Sequence, residues 1–301
     1  TYIIYWGTTP ESEDNSAYTN TNSYTHTVEL DNGTWYAKVR AYDAVDNESE
    51  FSEVGSVVID TTIPRVFIDS GPDDPTNSTS ATFEYHSDPP GCEFSYSLDE
   101  GLWSPYSSAT TTNFTGLSED SHIFKVKARN AAGSESGEAL WEWLIDCTDP
   151  DAPTNVRANP EGWTSINSFE VDWDNPADAS GIQGAYYRLD SVPTADEDGT
   201  YTTSKPITGI TVSGDGPHPI YIWLKDNADN VNYMNRGSTT LYLDTTGPTR
   251  PGMPTTTSPT SNTTPTWTWD ASTDADSGLR ATNTYIIYWG TTPESEDNSA
   301  Y

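Results

Sequence analysis

The stretch TYIIYWGTTPESEDNSAY occurs twice, from Thr1 to Tyr18 and again from Thr284 to Tyr301. Identity at all eighteen positions is far beyond what shared strand propensity produces. The second copy begins 283 residues after the first, and self-similarity at a fixed period is the mark of a repeat architecture. The chain therefore folds as part of a tandem array, and the two stretches are one strand and loop met twice. On this reading the sequence opens and closes inside the same kind of module, with neither end a natural terminus.

A shorter repeat runs inside the long one. The punctuation IDTTIP (59–64), IDCTDP (145–150) and LDTTGP (243–248) follows an alternating or apolar run each time. It reads as a last strand ending in Asp, then a Thr/Pro linker. Asp60, Asp146 and Asp244 are 86 and 98 residues apart, and Asp244 lies 99 residues before the next copy of Asp60. Lengths near 100 residues suit a seven-stranded sandwich. Upstream of each linker comes a matching strand and loop: GTWYAKVRAYDAVDN (33–47), SHIFKVKARNAAGS (121–134) and HPIYIWLKDNADN (218–230). In the first, Tyr36 alternates with the smaller Ala37, Val39 and Ala41, which marks two faces. Near the module starts lie TPTWTWDASTDADSG (264–278), SATFEYHSDPPG (80–91) and SFEVDWDNPADASG (168–181), with Trp269, Tyr85 and Trp173 in register. No segment sustains a 3.6-residue apolar period, so helices are not expected. The expected modules are 1–61 (a back half), 62–147, 148–245, and 246–301 (the front half of the next copy of the first). The two halves together make one sandwich, and each alone would expose unpaired strands.

Composition narrows the function classes. A formal charge of −33, from 46 acidic against 13 basic residues, excludes a nucleic-acid footprint. Hydrophobic content is only 33%, yet 11 Trp, 18 Tyr and 7 Phe supply enough buried area for small β cores. No apolar run approaches the ~18 residues of a membrane span. The 4 His, at 26, 86, 122 and 218, have no metal-ligand spacing, and no nucleophile motif is present. Trp6, Trp163 and Trp223 read as core or inter-strand packing rather than a sugar platform. An enzyme is not expected. Five sequons, at Asn32, Asn47, Asn77, Asn113 and Asn262, are candidate N-glycosylation sites if the chain is exported by a cell that uses them.

The D-T-T-x-P linkers, the W-D-x(3)-D-x-x-S-G pattern of Trp269–Gly278 and the strand ending A-Y-D-A-V-D-N resemble the prokaryotic fibronectin type III and bacterial Ig-like repeats of large surface proteins. The resemblance covers essentially the whole chain. It implies an all-β architecture of tandem Ig-like and fibronectin type III-like sandwiches, beads on a string, in an extracellular or cell-surface setting. FSYSLDEGLWSPY (94–106) is similar to an Ig-like pattern that carries Cys at two places, here Tyr96 and Tyr106. That departure removes the family's hairpin cross-link. The two Cys of this chain, Cys92 and Cys147, fall at opposite ends of such a module. A strand of about eight residues separates those ends by roughly 25 Å, against the ~7 Å between Cα atoms that a disulfide tolerates, so a bridge between them is disfavoured.

In such sandwiches the B–C and F–G loops meet the incoming linker. At the start of 148–245 this gathers Asp146, Asp149, Asp151, Asp174, Asp178, Asp226, Asp229 and Asn230. At the start of 246–301 it gathers Asp244, Asp270, Asp274 and Asp276, with an F–G set equivalent to Asp43, Asp46 and Asn47. Clustered carboxylates with amide oxygens suit Ca²⁺, which takes six to eight hard oxygen ligands, and structural Ca²⁺ is the expected cofactor. The bland alternative is that these residues cap turns and solvate loops. Into 62–147 only Asp60 and Asp88 remain, so weak or no metal binding is expected there. The function this supports is mechanical: the repeat unit of an extracellular filament or cell-surface stalk. Its partners are copies of itself, head to tail along one chain or between protomers. The alternatives are the spacer of a large adhesin, and accessory modules of a secreted carbohydrate-active enzyme.

Overall fold

The computed structural model describes residues 1–292 and the strand backbone of Asn298–Ala300; positions 293–297 and Tyr301, part of the second copy of the repeated stretch, lie outside the described residues. Every element among the described residues is a strand, and none of them forms a helix long and apolar enough to cross a membrane. The chain divides into two compact bodies, 1–74 with 78–145, and 75–77 with 146–301.

In the first body, strands β1 (Tyr2–Gly7), β2 (Asn15–Thr19), β3 (Gly33–Ala41) and β4 (Gly55–Ile59) form an antiparallel sheet in the order β2-β1-β3-β4. The register pairs Tyr2 with Ala41 and Trp6 with Ala37, so Ile4, Trp6, Ala37 and Val39 share one face. Lys38 and Arg40 lie on the other face, over the Phe51 ring at 4.3 and 4.4 Å. Next come β5 (Arg65–Ser70), β6 (Ser80–Asp88), β7 (Glu93–Leu98), β8 (Thr111–Thr115), β9 (Ser121–Arg129) and β10 (Ala139–Leu144). They make two three-stranded sheets, β5-β6-β8 and β10-β9-β7. Alternation dictates the packing: β6 buries every second residue, Ala81, Phe83, Tyr85 and Ser87, as a half-solvated strand must. Phe83 of one sheet stacks on Phe124 of the other at 3.9 Å, and both are fully buried. Cys92 joins this core, Cys147 is exposed, and no disulfide links them.

The second body holds β11 (Thr154–Asn159), β12 (Trp163–Thr164), β13 (Phe169–Asp174), β14 (Ile182–Leu189), β15 (Thr200–Thr202), β16 (Ile207–Ile210), β17 (Gly216–Asp226) and β18 (Val231–Leu243). These form the sheets β11-β13-β16 and β12-β18-β17-β14-β15. Phe169, Val171 and Trp173 of β13 meet Ile220, Ile222 and Leu224 of β17 in the core. Trp223, on the opposite face of β17, is buried because its indole N–H donates to the Asp196 carbonyl at 2.6 Å and its ring stacks on Tyr186. Beyond β18, Thr255 and Thr268 bridge two extended segments, and β19 (Ile287–Trp289) pairs with β20 (Asn298–Ala300).

Three ring N–H groups lock the start of the long central strand, each on a carbonyl four residues upstream. They are Trp35 Nε1 with Asp31 at 2.8 Å, His122 Nε2 with Ser118 at 2.9 Å, and His218 Nε2 with Gly214 at 3.1 Å. Each His also places Nδ1 2.8 Å from a carboxylate, Asp99 or Asp190. A ring with acceptors at both nitrogens donates to both only as imidazolium.

Candidate metal centres

The linker aspartates cap their own chain in one way. Asp60, Asp146 and Asp244 each accept, at Oδ1, the backbone N–H of the Thr two residues on, at 2.9, 3.1 and 3.1 Å. This is the Asx-turn that short acidic side chains favour. The remaining oxygen reaches into the module that follows. Asp146 Oδ2 takes the Ser180 N–H at 2.9 Å and Asp244 Oδ2 takes the Ser277 N–H at 3.0 Å.

The loop after the long central strand has a second fixed acceptor, and here the modules diverge. Asp43, Asn130 and Asp226 occupy one position. Each side-chain oxygen accepts the N–H four residues on, from Asn47, Ser134 and Asn230, at 2.8–2.9 Å. Asn130 then points its amide at the linker, donating to Asp60 Oδ2 at 3.1 Å and to the Thr62 carbonyl at 2.9 Å. Asp226, when ionised, has no N–H or O–H to offer Asp146. Asn230 stands in part, donating to the Asp146 carbonyl at 2.7 Å and to Asp226 Oδ2 at 2.8 Å.

The result is a group of three carboxylates, Asp146, Asp178 and Asp226, with one oxygen from each within 4.8 Å of the others. Asp226 is fully buried and Asp146 is 2% exposed. Burial lifts the Asp226 pKa; bonds from Asn230 oppose this, while Asp178 and Asp146 push it up further. The neighbouring cation on β17, Lys225, is engaged by Asp229 at 2.7 Å. A second group joins Asp215, Asp244 and Asp276 on the same distance criterion. Here the environment favours ionisation. Ser277 holds Asp244 below the usual carboxylate range, and Thr246 and Thr245 do the same for Asp215. Each group offers hard oxygens, the donor type for Ca²⁺ or Mg²⁺, with water left to complete the shell.

Several expected ligands stand elsewhere. Asp149 bonds Asn232 at 3.0 Å, Asp174 bonds Asn155 at 2.7 Å, Asp229 pairs with Lys225, and Asp151 is exposed. Asp274 caps its own loop through the N–H groups of Asp276 and Gly278, leaving Asp276 to face Asp244. Asp270 is exposed and accepts the Gly252 N–H on its backbone carbonyl. Asp43 closes on Val45 and Asn47, and Asp46 sits at φ 63° in that turn. Asp215 was not among the expected ligands. Its signal lies in the repeat: it precedes His218 by three residues, as Asn32 precedes Trp35. Each takes the N–H and hydroxyl of a linker Thr, Thr245 or Thr61, at 2.8–2.9 Å. The sequon residues Asn32, Asn47, Asn77, Asn113 and Asn262 are all exposed.

No family sequence model matches the chain, and no curated relative does. Among solved structures, the FN1-FN3 domains of chicken CNTN1 align over 80% of this chain and 88% of that one, at 12% identity and a TM-score of 0.37. The fibronectin(III)-like modules of Clostridium thermocellum CbhA align over 59% and 93%, at 15% identity and a TM-score of 0.34.

Proposed function

We propose that this chain is a structural spacer: a non-catalytic unit of an extracellular filament or cell-surface stalk, repeated head to tail with copies of itself. The observation that carries this reading is one linker geometry made three times. Asp60, Asp146 and Asp244 each cap the following Thr, and each sends its second oxygen to a loop of the next module. A joint fixed at both carboxylate oxygens sets a direction, and identical consecutive units then repeat it. At the two acidic groups a divalent cation, Ca²⁺ by donor type, completes the joint by neutralising carboxylates that otherwise repel.

The test is small-angle scattering on tandem units, with Ca²⁺ and with chelator, beside thermal unfolding of the same samples. Ca²⁺ should lengthen the particle and raise the unfolding midpoint. Dimensions and midpoint both indifferent to chelator would defeat the cation joint, and a freely jointed chain in both conditions would defeat the spacer.

A further inference from the structure

The five Asn-x-Ser/Thr sequons of this chain differ in what their side-chain amides already do. Attaching a sugar to an asparagine requires the amide to turn and its Nδ2 to leave any hydrogen bond it makes. The hydroxyl two residues on must also be open to the transferase. A sequon whose groups are held by the fold is a poor acceptor in the folded chain.

Four of the five are held. Asn32 Oδ1 accepts the Thr61 N–H and hydroxyl at 2.9 and 2.8 Å. Asn47 Nδ2 donates to Asp43 Oδ2 at 2.7 Å. The hydroxyl of that sequon, on Ser49, accepts the Ala41 N–H and donates to the Glu50 carbonyl, both at 2.9 Å. Asn113 lies within β8, paired with Thr82 of β6, and its Nδ2 donates to the Thr82 hydroxyl at 3.1 Å. Asn262 closes on its own sequon: Oδ1 accepts the Thr264 N–H and hydroxyl at 2.9 and 3.1 Å, and Nδ2 donates to the Thr264 carbonyl at 3.0 Å.

Asn77 is different. Asn77, Ser78 and Thr79 are consecutive exposed residues between β5 and β6. Neither the Asn77 side-chain amide nor the Thr79 hydroxyl has a hydrogen-bond partner among the described residues. Only the backbone is fixed. The Thr76 carbonyl accepts the Asp146 N–H at 2.9 Å, and the Asn77 carbonyl accepts the Cys147 S–H at 3.2 Å. The Thr79 carbonyl accepts the Leu117 N–H at 3.0 Å. Around β13 the same linker bond is made by the Thr164 carbonyl to the Asp244 N–H at 2.9 Å, and the next residue there is Ser165. The fold thus makes no use of an asparagine at this position, and the side chain is unengaged on a backbone tied to the linker.

We propose that Asn77 is the sequon of the folded chain that accepts a sugar from a glycosyl diphosphate donor. Nδ2 bonds to the anomeric carbon as the bond from that carbon to the diphosphate oxygen breaks. The diphosphate leaves, and one Nδ2 proton passes to a base of the transferase. The sugar then stands on the linker beside the exposed Cys147. A bulky polar group there is solubilising and shields the thiol. In an array of 283-residue units it recurs once per unit. This goes beyond the spacer reading and does not depend on it.

The test incubates the purified folded chain with a soluble sequon-directed transferase and UDP-glucose, and in a second arm with a membrane transferase and its lipid-linked oligosaccharide. Peptide mapping by mass spectrometry reads the rate at each sequon against a digest of the same chain, in which the fold is gone. Asn77 should keep its digest rate, whereas Asn32, Asn47, Asn113 and Asn262 should each fall at least about tenfold. The arm that labels Asn77 identifies the donor as nucleotide-linked or lipid-linked. Asn77→Gln should leave the unfolding midpoint unchanged, and alkylation of Cys147 should be several-fold slower in the labelled chain than in the unlabelled one. No labelling of Asn77 in either arm overturns the proposal, as does labelling of any of the other four as fast as Asn77. An unchanged rate at Cys147 overturns the placement of the sugar on the linker.

Discussion

Two junctions of this chain are built to one plan and differ by one functional group. Where Asn130 faces Asp60, an amide N–H bridges the linker carboxylate to the loop, and the joint is complete from protein atoms alone. At the equivalent place Asp226 faces Asp146, and three carboxylates, two of them buried, share a space of 4.8 Å. Both loops fold identically, because Asn and Asp offer the same oxygen to the N–H four residues on. The backbone therefore tolerates either residue, and the exchange decides whether the linker carboxylate faces an amide donor or a further carboxylate. Burying like charges without a partner is costly.

The largest expected effect follows from that condition. Ca²⁺ at a hundredfold excess over its dissociation constant should stabilise the second body by about 2.7 kcal/mol, a rise of roughly 5–10 °C in midpoint. Asp226→Asn should remove most of this response. In chelator the same variant should be more stable than the parent by about 1 kcal/mol, since the relief of a buried charge outweighs the acceptor that Asn230 Nδ2 loses at Oδ2. Differential scanning calorimetry with and without chelator measures both. A parent more stable than the variant in chelator would mean that the three carboxylates are already reconciled without a cation.

The reverse exchange should have the opposite sign and a smaller size. Asn130→Asp keeps the loop acceptor for Ala132 and Ser134 but sets a second carboxylate against Asp60. The first body should lose a few degrees of midpoint in chelator, and high salt should restore part of it because this junction is less buried. A variant as stable as the parent would show that the Asn130 amide contributes nothing beyond loop closure.

How much of this was readable beforehand depends on whether the signal was periodic. The buried residues of β9 alternate in SHIFKVKAR itself, because one face of the strand meets a sheet. The all-β architecture followed from such strands and the recurring linkers. Asp146, Asp178, Asp226, Asp244 and Asp276 were legible as loop and linker carboxylates. Asp149, Asp174 and Asp229 were equally acidic but have nearer partners in Asn232, Asn155 and Lys225, which spacing along the chain does not reveal. The loop after Trp269 is one residue longer than that after Trp173, so Asp276 instead of Asp274 faces the linker. Asp215 sits in a Ser-Gly-Asp-Gly turn that reads as solvated, and only its offset from His218 identifies it.

Acid separates the two carboxylate groups. Asp226 has a raised pKa when folded, so its contribution without metal is fully present below the ordinary carboxylate value and is lost as pH rises through the raised one. Asp244 and Asp215 have lowered values, so theirs is present above the ordinary value and is lost as pH falls through the lowered ones. In chelator, acidification towards the ordinary carboxylate value should therefore raise amide protection near Asp226, and only below that value should the loop at Ser277–Gly278 begin to open. Ca²⁺ should reverse the first trend only, since it requires the ionised form of Asp226. Parallel trends at both loops would remove the distinction between them.

The smallest effect tests whether the contrast between a permanent donor and a titrating group recurs in the ring locks. Trp35 donates at every pH, whereas His122 must be protonated to serve both Ser118 and Asp99. Burial works against that proton, but the Ser118 carbonyl, Asp99 and Asp120 together raise the His122 pKa. Asp74, Glu100 and Glu142 line the same hollow, and Trp143 packs on the ring at 5.3 Å. A raised value means that the stabilisation is complete below the ordinary histidine pKa and is lost as pH rises through the folded one. Between neutral and mildly alkaline pH, amides at the start of β9 should lose protection from hydrogen exchange while those at the start of β3 hold theirs. His122→Gln should flatten the β9 profile at modest cost in stability, because it keeps a donor while removing the titration. If the two strand starts respond alike in the parent, the His122 bonds are made by a neutral ring, and the lock is as permanent as that of Trp35.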